Sequence, residues 1–92
     1  MNIVDLYTSD WVIEKLESRH GVQVEEVWEV LQSDRCRFFR ARQGSHLALG
    51  QTDAGRFLAV FFFTEPADGG VRARIATARD MDEAERRRFS RK

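Results

Sequence analysis

Apolar and polar positions fall into blocks along the chain, and the longest apolar block is FLAVFFF at residues 57–63. Because no polar residue interrupts this block, a strand made from it would bury both of its faces. A second apolar segment, residues 47–49, lies before it across the turn-forming residues 52–55. A third, residues 71–78, follows the breaker at residues 66–70. We therefore predict three consecutive antiparallel strands, with FLAVFFF in the middle of the sheet.

Two segments before this sheet have the spacing of amphipathic helices. The first, residues 11–19, follows the helix-start signal Thr8-Ser9-Asp10 and ends before Gly21, a residue type common just beyond a helix C terminus. The second, residues 24–32, has apolar residues at i, i+3, i+4 and i+7 with glutamates between them. Both helices are predicted to bury one side on the sheet.

Three further segments complete the predicted fold. Residues 2–7 alternate loosely and could form a short edge strand, and residues 36–42, CRFFRAR, have the pattern of another strand. Two aspartates after the third apolar segment offer N-caps for a helix that ends near Phe89. The pattern indicates one α+β domain, residues 1–92, with an antiparallel sheet of about four strands packed with two N-terminal helices and one C-terminal helix.

Composition narrows the class of protein. The chain has 92 residues, of which 42% are hydrophobic and 33% are charged, which is typical of a globular domain rather than a disordered one. No apolar run approaches the ~18 residues of a membrane span, and the start lacks the pattern of a signal peptide. The single cysteine, Cys36, cannot form an intrachain disulfide. We therefore expect a cytoplasmic protein that uses no metal and no cofactor.

Charge is divided unequally along the chain although the formal net charge is zero. Residues 1–34 contain eight acids and two bases, a balance of −6, and residues 35–92 contain thirteen bases and seven acids, a balance of +6. Twelve of those thirteen bases are arginine. An arginine-rich half favours binding to phosphate or to an acidic partner. The alternative is that the two halves neutralise each other within the fold.

Four short motifs occur in a fixed order between about residue 5 and residue 89. They are His20-Gly21-Val22 before a Glu-rich helix, Gly50-x-Thr52-x-x-Gly55-Arg56-x-Leu58-x-Val60, Arg74-Ile75-x-x-Ala78-Arg79-Asp80-Met81, and Glu85-Arg86-Arg87. Together they resemble the BrnT family, the toxin halves of bacterial type II toxin–antitoxin pairs. The resemblance implies a RelE-like fold and metal-independent ribonuclease activity. It also implies neutralisation by a BrnA-type antitoxin with a ribbon-helix-helix DNA-binding part.

The first helix departs from the pattern of that family. Where the family has Trp-Asp-Pro and then a Lys and an Asn, this chain has Thr8, Ser9, Asp10, Val12 and Leu16. Because a fold can persist when functional side chains are lost, this departure bears on activity more than on architecture. It motivates an alternative hypothesis, a non-catalytic module that binds RNA or protein on the same fold.

Metal-free RNA cleavage needs a base for the 2′-hydroxyl, cations around the phosphate and an acid for the leaving oxygen. The candidate catalytic residues are His20, Arg56, Arg74 and Arg79, and the candidate RNA-binding residues are Arg72 and Arg86. Strand alternation predicts that Arg72 and Arg74 share one face with Ala76 and Ala78 beyond them. We expect the arginines of the last strand and the final helix to converge on a single concave patch.

Each candidate also has a structural interpretation. The arginines could cover a solvated face or pair with Glu83 and Glu85, and Arg56 could close its turn with Asp53. His20 lies at a helix C terminus, where a partly charged ring interacts favourably with the helix dipole. Trp11 and Trp28 are interpreted as core residues, since apolar residues flank both of them.

Too few helices are predicted to cover both faces of the sheet. We therefore expect a partner to cover one apolar edge or face. The sequence leaves open whether the protein forms a homodimer or a toxin–antitoxin hetero-oligomer, and RNA is the expected substrate.

Overall fold

A computed structural model describes residues 1–91, and Lys92, the last residue of the predicted domain, lies outside that range. Eight main elements follow one another, in the order predicted from the sequence. They are β1 (Ile3–Tyr7), α1 (Asp10–His20), α2 (Val24–Gln32), β2 (Arg37–Arg40), β3 (His46–Gln51), β4 (Phe57–Ala67), β5 (Gly70–Asp80) and α3 (Glu83–Ser90). The α+β class and the two N-terminal helices and one C-terminal helix are confirmed.

The five strands form one sheet in the order β1-β5-β4-β3-β2. β4 is central, as predicted, and the pairs β2–β3, β3–β4 and β4–β5 are antiparallel. The predicted antiparallel sheet of about four strands is wrong in one respect: β1 joins as a fifth strand and lies parallel to β5. Alternation within a short segment predicts a strand but carries no information about which distant strand it pairs with, or in which direction.

The main core lies between the sheet and the two N-terminal helices. Leu58, Val60 and Phe62 of β4 point into it and are fully buried, with Val12 and Leu16 of α1 packed against the same cluster. The positions where the BrnT family has a Lys and an Asn are therefore core positions in this chain. Apolar side chains are required there because an unpaired polar group would lose its hydration.

The other face of the sheet is covered only in part. Phe89 of α3 and Met81 pack on Leu49 and neighbouring residues of β3 and β4, forming a second, smaller apolar cluster. Phe61 and Phe63 of β4 are half-buried. The prediction that the central strand is buried on both faces therefore holds fully for the helix side alone. The tryptophans interpreted as core residues are also more exposed than expected, Trp11 at 69% and Trp28 at 36%.

A β-bulge in β5 changes which side chains share a face. Phe61 pairs with Thr77 and Phe62 pairs with Ile75, so that Ala76 has no partner in the register. An extra residue reverses the alternation beyond it. Ala78 consequently turns into the helix-side core, whereas Arg79 lies on the face of Arg72 and Arg74. The predicted grouping of those two arginines with Ala76 and Ala78 is wrong, because simple alternation does not anticipate a bulge.

α2 approaches β3 closely at Gly50. A Cβ atom at this position would lie 2.8 Å from Cγ1 of Val30, which is shorter than any ordinary carbon contact. Val30 is itself fully buried, so it has little room to move. The absence of a side chain at Gly50 thus sets the distance between the helix and the sheet.

We expect Gly50→Ala to lower the free energy of unfolding by about 1–3 kcal/mol, because the added methyl overpacks this contact. In a Val30→Ala background the same substitution should cost much less, since the contacting methyl groups are gone. Urea denaturation of the natural protein, the two single variants and the double variant measures the coupling between positions 30 and 50. An equal loss in both backgrounds would show that the contact does not determine the helix position.

Candidate nucleic-acid interface

Arginine side chains lie over aromatic rings on the side of the sheet that faces away from α1 and α2. We call the part of this side that α3 leaves uncovered the open face. It is defined by Tyr7 of β1, Phe61 and Phe63 of β4, and Arg72, Arg74, Thr77 and Arg79 of β5. The fold thus brings three of the predicted site residues onto one surface.

Arg74 is the most accessible of these arginines. Its guanidinium carbon lies 4.8 Å from the centroid of the Phe63 ring, and the two residues are direct partners in the register. On its other side Arg74 is paired with Tyr7, which is 51% exposed. Within residues 1–91 the Arg74 side chain has no hydrogen bond or ion pair. It is therefore a cation held against an aromatic surface with its N–H donors directed to solvent.

Arg79 is held in place by the C-terminal helix. Its Nη1 and Nη2 atoms donate to the two carboxylate oxygens of Glu85 at 2.7 and 2.9 Å, and its guanidinium lies 5.3 Å from the Phe61 ring. Glu85 is buried and also accepts a hydrogen bond from the backbone N–H of Asp82 at the start of α3. The hydrogen bonds with Glu85 raise the pKa of Arg79. The predicted pairing of an arginine with Glu85 is confirmed, and it fastens α3 to β5.

The two predicted RNA-binding arginines flank this surface. Arg72 donates from Nε to Oδ2 of Asp5 on β1 at 3.0 Å, and this hydrogen bond lowers the pKa of the Asp5 carboxyl. Arg86 projects from α3 over the ring of Phe57, with 3.7 Å between guanidinium and centroid. Successive residues on one strand face are ~7 Å apart, so Arg72 and Arg74 could contact neighbouring phosphates.

Arg56 lies on the opposite, helix side of the sheet. Its Nε donates to Asp80 Oδ1 at 2.8 Å, and its Nη2 and Nη1 donate to the carbonyls of His20 and Gly21 at 2.8 and 2.7 Å. Nη1 also lies 3.3 Å from Glu26. All three guanidinium nitrogens are therefore engaged at the C terminus of α1. Arg56 satisfies carbonyls that the helix itself leaves unpaired.

These contacts correct two expectations. The ion-pair partners of Arg56 in the described chain are Asp80 and Glu26, so the predicted pairing with Asp53 is wrong. Of the arginines expected to converge, those of the last strand share the open face, and Arg86 lies on α3 over Phe57. Arg56 and His20 are separated by the sheet from Arg74 and Arg79, so the four candidate catalytic residues do not lie together. The reason is that successive side chains alternate between the two faces of the sheet. Phe57, the first residue of β4, points to the side of α3, and Arg56, one residue earlier, therefore points to the helices.

Sequence reasoning did not identify Tyr7 as a site residue, and it placed Phe61 and Phe63 in a strand buried on both faces. Tyr7 becomes part of the open face only because β1 pairs with β5, which local pattern does not reveal. No imidazole lies on the open face in the part of the chain described here. The ring of His46 stacks on Phe62 on the helix side, and His20 is held at the end of α1.

The unequal charge distribution along the sequence becomes a separation in space. The acid-rich helices α1 and α2 cover one face of the sheet, and the arginines of β5 and α3 lie on the other. The interpretation in which the two halves neutralise each other is true only locally, at pairs such as Arg56 with Glu26. A polyanion would therefore approach the open face rather than the helices.

Residues 1–91 hold no cluster of metal ligands, no helix able to span a membrane and no reactive cysteine. No group of three or more His, Cys, Asp or Glu side chains comes together there as metal ligands, and no helix is both long and apolar enough to cross a membrane. Burial raises the pKa of the Cys36 thiol to about 12, so this cysteine stays protonated and unreactive at neutral pH.

The architecture is similar to that of a solved ribonuclease toxin. The chain matches the crystal structure of the Brucella abortus ribonuclease toxin BrnT with a TM-score of 0.65, over 89% of this chain and all of that one. The two sequences are 13% identical, so the likeness establishes the fold alone. No family model and no curated protein matches the sequence. The resemblance inferred from the motifs is thus confirmed at the level of the fold.

The contact between Arg56 and Asp80 makes a testable contribution to stability. The hydrogen bond from Arg56 lowers the pKa of Asp80 below its ordinary 3.8 in the folded protein. The contribution is therefore fully present above about pH 5 and is lost as the pH falls through the folded-state pKa. The difference in unfolding free energy between the natural protein and Asp80→Asn should be largest near neutral pH and shrink towards about pH 3.

Denaturation curves at several pH values measure this difference. In an Arg56→Gln background the pH-dependent part should disappear, because the donor that lowers the pKa of Asp80 is gone. A difference that persists in that background would assign the effect to another group.

Proposed function

We propose that this protein is a toxin that cleaves RNA and is neutralised by a cognate antitoxin, and that it binds its substrate across the open face. The observation that carries the proposal is Arg74, a cation without an ionic partner in residues 1–91, on a fold similar to that of a ribonuclease toxin. Arg74 stacks on Phe63 and is the register partner of Tyr7. The BrnA-type antitoxin implied by the sequence motifs belongs to the same proposal, as does action in the cytoplasm.

The surface combines the two features that single-stranded RNA binding requires. Exposed aromatic rings provide stacking platforms for bases, and cations beside them contact the phosphates. Tyr7, which is 51% exposed, would serve the first role, whereas the ring of Phe63 supports the guanidinium of Arg74. Arg74 would serve the second, with Arg72 and Arg86 contacting phosphates on either side.

In the proposed reaction the 2′-hydroxyl of one nucleotide attacks the adjacent phosphorus, and the bond to the 5′-oxygen of the next nucleotide breaks. Guanidinium groups stabilise the additional negative charge that develops on the phosphoryl oxygens in the transition state. Arg74, whose side chain has no ion pair within residues 1–91, would serve this role directly. Arg79 would act while remaining bonded to Glu85, which fixes its orientation so that little reorganisation is needed.

The two remaining predicted catalytic residues receive other roles in this proposal. Arg56 is occupied by four acceptors at the end of α1 and would position that helix. His20 contributes its backbone carbonyl to the same cluster and lies across the sheet from Arg74. The proton of the 2′-hydroxyl would then pass to a carboxylate or to water at the open face, and the leaving 5′-oxygen would take a proton from water.

A non-catalytic RNA-binding module is the second candidate function. It is favoured by the absence of any imidazole from the open face among residues 1–91 and by the apolar side chains at positions 12 and 16. Both candidates use the same surface, so they predict the same binding residues and differ only in cleavage.

Purified protein without antitoxin should cut single-stranded RNA in the presence of EDTA. Arg74→Ala should reduce the cleavage rate by about 10–100-fold, since it removes a cation that stabilises the transition state. Gel analysis of end-labelled RNA measures the rates. Arg87→Ala is the matched control, because Arg87 is exposed on α3 and pairs with Glu83.

The outcome separates the two candidates. Cleavage that is lost in Arg74→Ala but retained in Arg87→Ala supports the toxin. RNA that stays intact, no growth arrest on expression, and binding that depends on Arg74 would support the non-cleaving module instead.

A second experiment tests the role of His20. We expect His20→Asn to cleave RNA at a rate within about twofold of the natural protein, because its ring lies on the helix side, away from the proposed substrate. Single-turnover cleavage rates across the neutral pH range measure this. A rate lowered by about 100-fold, with the fold intact by circular dichroism, would restore His20 as the proton-transfer group.

A further inference from the structure

A groove runs between α2 and the edge strand β1, on the opposite side of the sheet from the open face. Its volume is about 460 Å³. Val4 and Leu6 of β1 and Val24 and Trp28 of α2 form its apolar walls, and Val4 is 40% exposed. An apolar groove of this size with a large, partly exposed aromatic side chain is a typical feature of peptide-binding surfaces.

One edge of β1 is unpaired. β1 is the first strand in the sheet order and is hydrogen-bonded to β5 on one side only. The carbonyl of Asn2 accepts from Val71 of β5 at 2.9 Å, so the next carbonyl, that of Ile3, points away from β5. The side chain of Gln32 donates to this carbonyl at 2.9 Å. Gln32 therefore satisfies this one acceptor, and a β-bulge lies between Ile3 and Asp5, so an added strand would pair with β1 beyond the bulge, beside Asp5 and Leu6 of the groove.

The rim of the groove is acidic. Glu25 and Glu29 of α2 line it together with Asp5 of β1, whose carboxylate is already paired with Arg72. Glu25 is exposed and has no ion pair in the described residues, and Glu29 bonds only to the backbone N–H of Asp53. Two copies of this groove would repel each other if their edges met. Charge complementarity therefore favours a basic partner rather than a second copy of the same chain.

We infer that this groove binds an extended segment of a partner protein in which lysine or arginine alternates with apolar residues. The segment adds a sixth strand to the free edge of β1. Its apolar side chains lie against Val4 and Trp28, and its cations lie near Glu25 and Glu29. Backbone hydrogen bonds to a sheet edge supply affinity, and alternate side chains supply specificity. The partner is the antitoxin, and for that identity alone the inference rests on the proposed function.

Synthetic nine-residue peptides test the groove directly. A peptide of alternating lysine and valine should bind and shift the fluorescence of Trp28 to shorter wavelength, measured in Trp11→Phe so that Trp28 is the only tryptophan. A peptide of alternating glutamate and valine should bind at least about tenfold more weakly. The lysine–valine peptide with alternate backbone amides methylated should also lose binding, because it cannot pair with a strand edge.

Variants of the protein locate the site. Calorimetry should show that Glu25→Gln and Trp28→Ala each weaken binding of the lysine–valine peptide by about fivefold or more. Glu17→Gln is the matched control, because Glu17 is an exposed acid on α1 outside the groove. Equal binding of the two peptides, or binding unaffected by Trp28→Ala or by amide methylation, would overturn the inference.

Two further measurements separate this inference from its alternatives. A dimer of the protein alone that the lysine–valine peptide dissociates in sedimentation would assign the groove to a second copy and overturn the inference. RNA cleavage measured on the same variants separates the two proposals. Glu25→Gln that loses the peptide but still cuts RNA supports the groove, whereas natural protein that binds the peptide but cuts no RNA contradicts only the proposed function.

Discussion

On the face of the sheet that the N-terminal helices do not cover, arginine side chains stack on phenylalanine rings and shield them from water. The rest of that surface depends on this interaction. Two helices cover one face of the sheet, and the single short helix α3 covers part of the other. The remaining aromatic side chains of β4 would form an apolar patch if nothing shielded them. Arg74 and Arg79 cover Phe63 and Phe61 while keeping their charge at the surface. Each such contact contributes about 0.5–2 kcal/mol and also makes the face positive.

The bulge at Ala76 gives this face its third arginine, Arg79. Without the extra residue, Arg79 would point into the helix-side core, where a guanidinium would be costly to bury. With it, Arg79 reaches Glu85 and joins β5 to α3 through a bidentate ion pair. One local irregularity therefore both shapes the candidate interface and fixes the C-terminal helix. Bulges occur often next to functional sites for this reason.

The two sides of the sheet differ in charge as well as in covering. The helix side has an acidic groove beside an edge strand, and the other side has arginines stacked on phenylalanine rings beside the exposed ring of Tyr7. A polyanion and a basic polypeptide would thus be directed to different places on a domain whose Cα radius of gyration is only 12.3 Å. Arg56 lies at the junction, where it fastens the end of α1 to the start of β4 and the end of β5.

Local pattern was sufficient for the elements themselves. The uninterrupted apolar block at residues 57–63 identified the central strand, and the spacing of Val24, Val27 and Leu31 identified α2, because both periodicities follow from backbone geometry alone. The short motifs also indicated the BrnT-like fold, and the sequence showed that half of the chain is rich in arginine.

Tertiary structure decided which residues meet. The parallel pairing of β1 with β5 brings Tyr7 beside Arg74, and the bulge turns Arg79 outwards. Alternation at the start of β4 directs Arg56 to the opposite side, where it bonds to the carbonyl of His20 at the end of α1. Each of these depends on a long-range register or on a single inserted residue. The local alternation of apolar and polar positions predicts neither the register nor the inserted residue. A shift of one residue moves every side chain of a strand to the other face of the sheet, yet the pattern in the sequence stays the same.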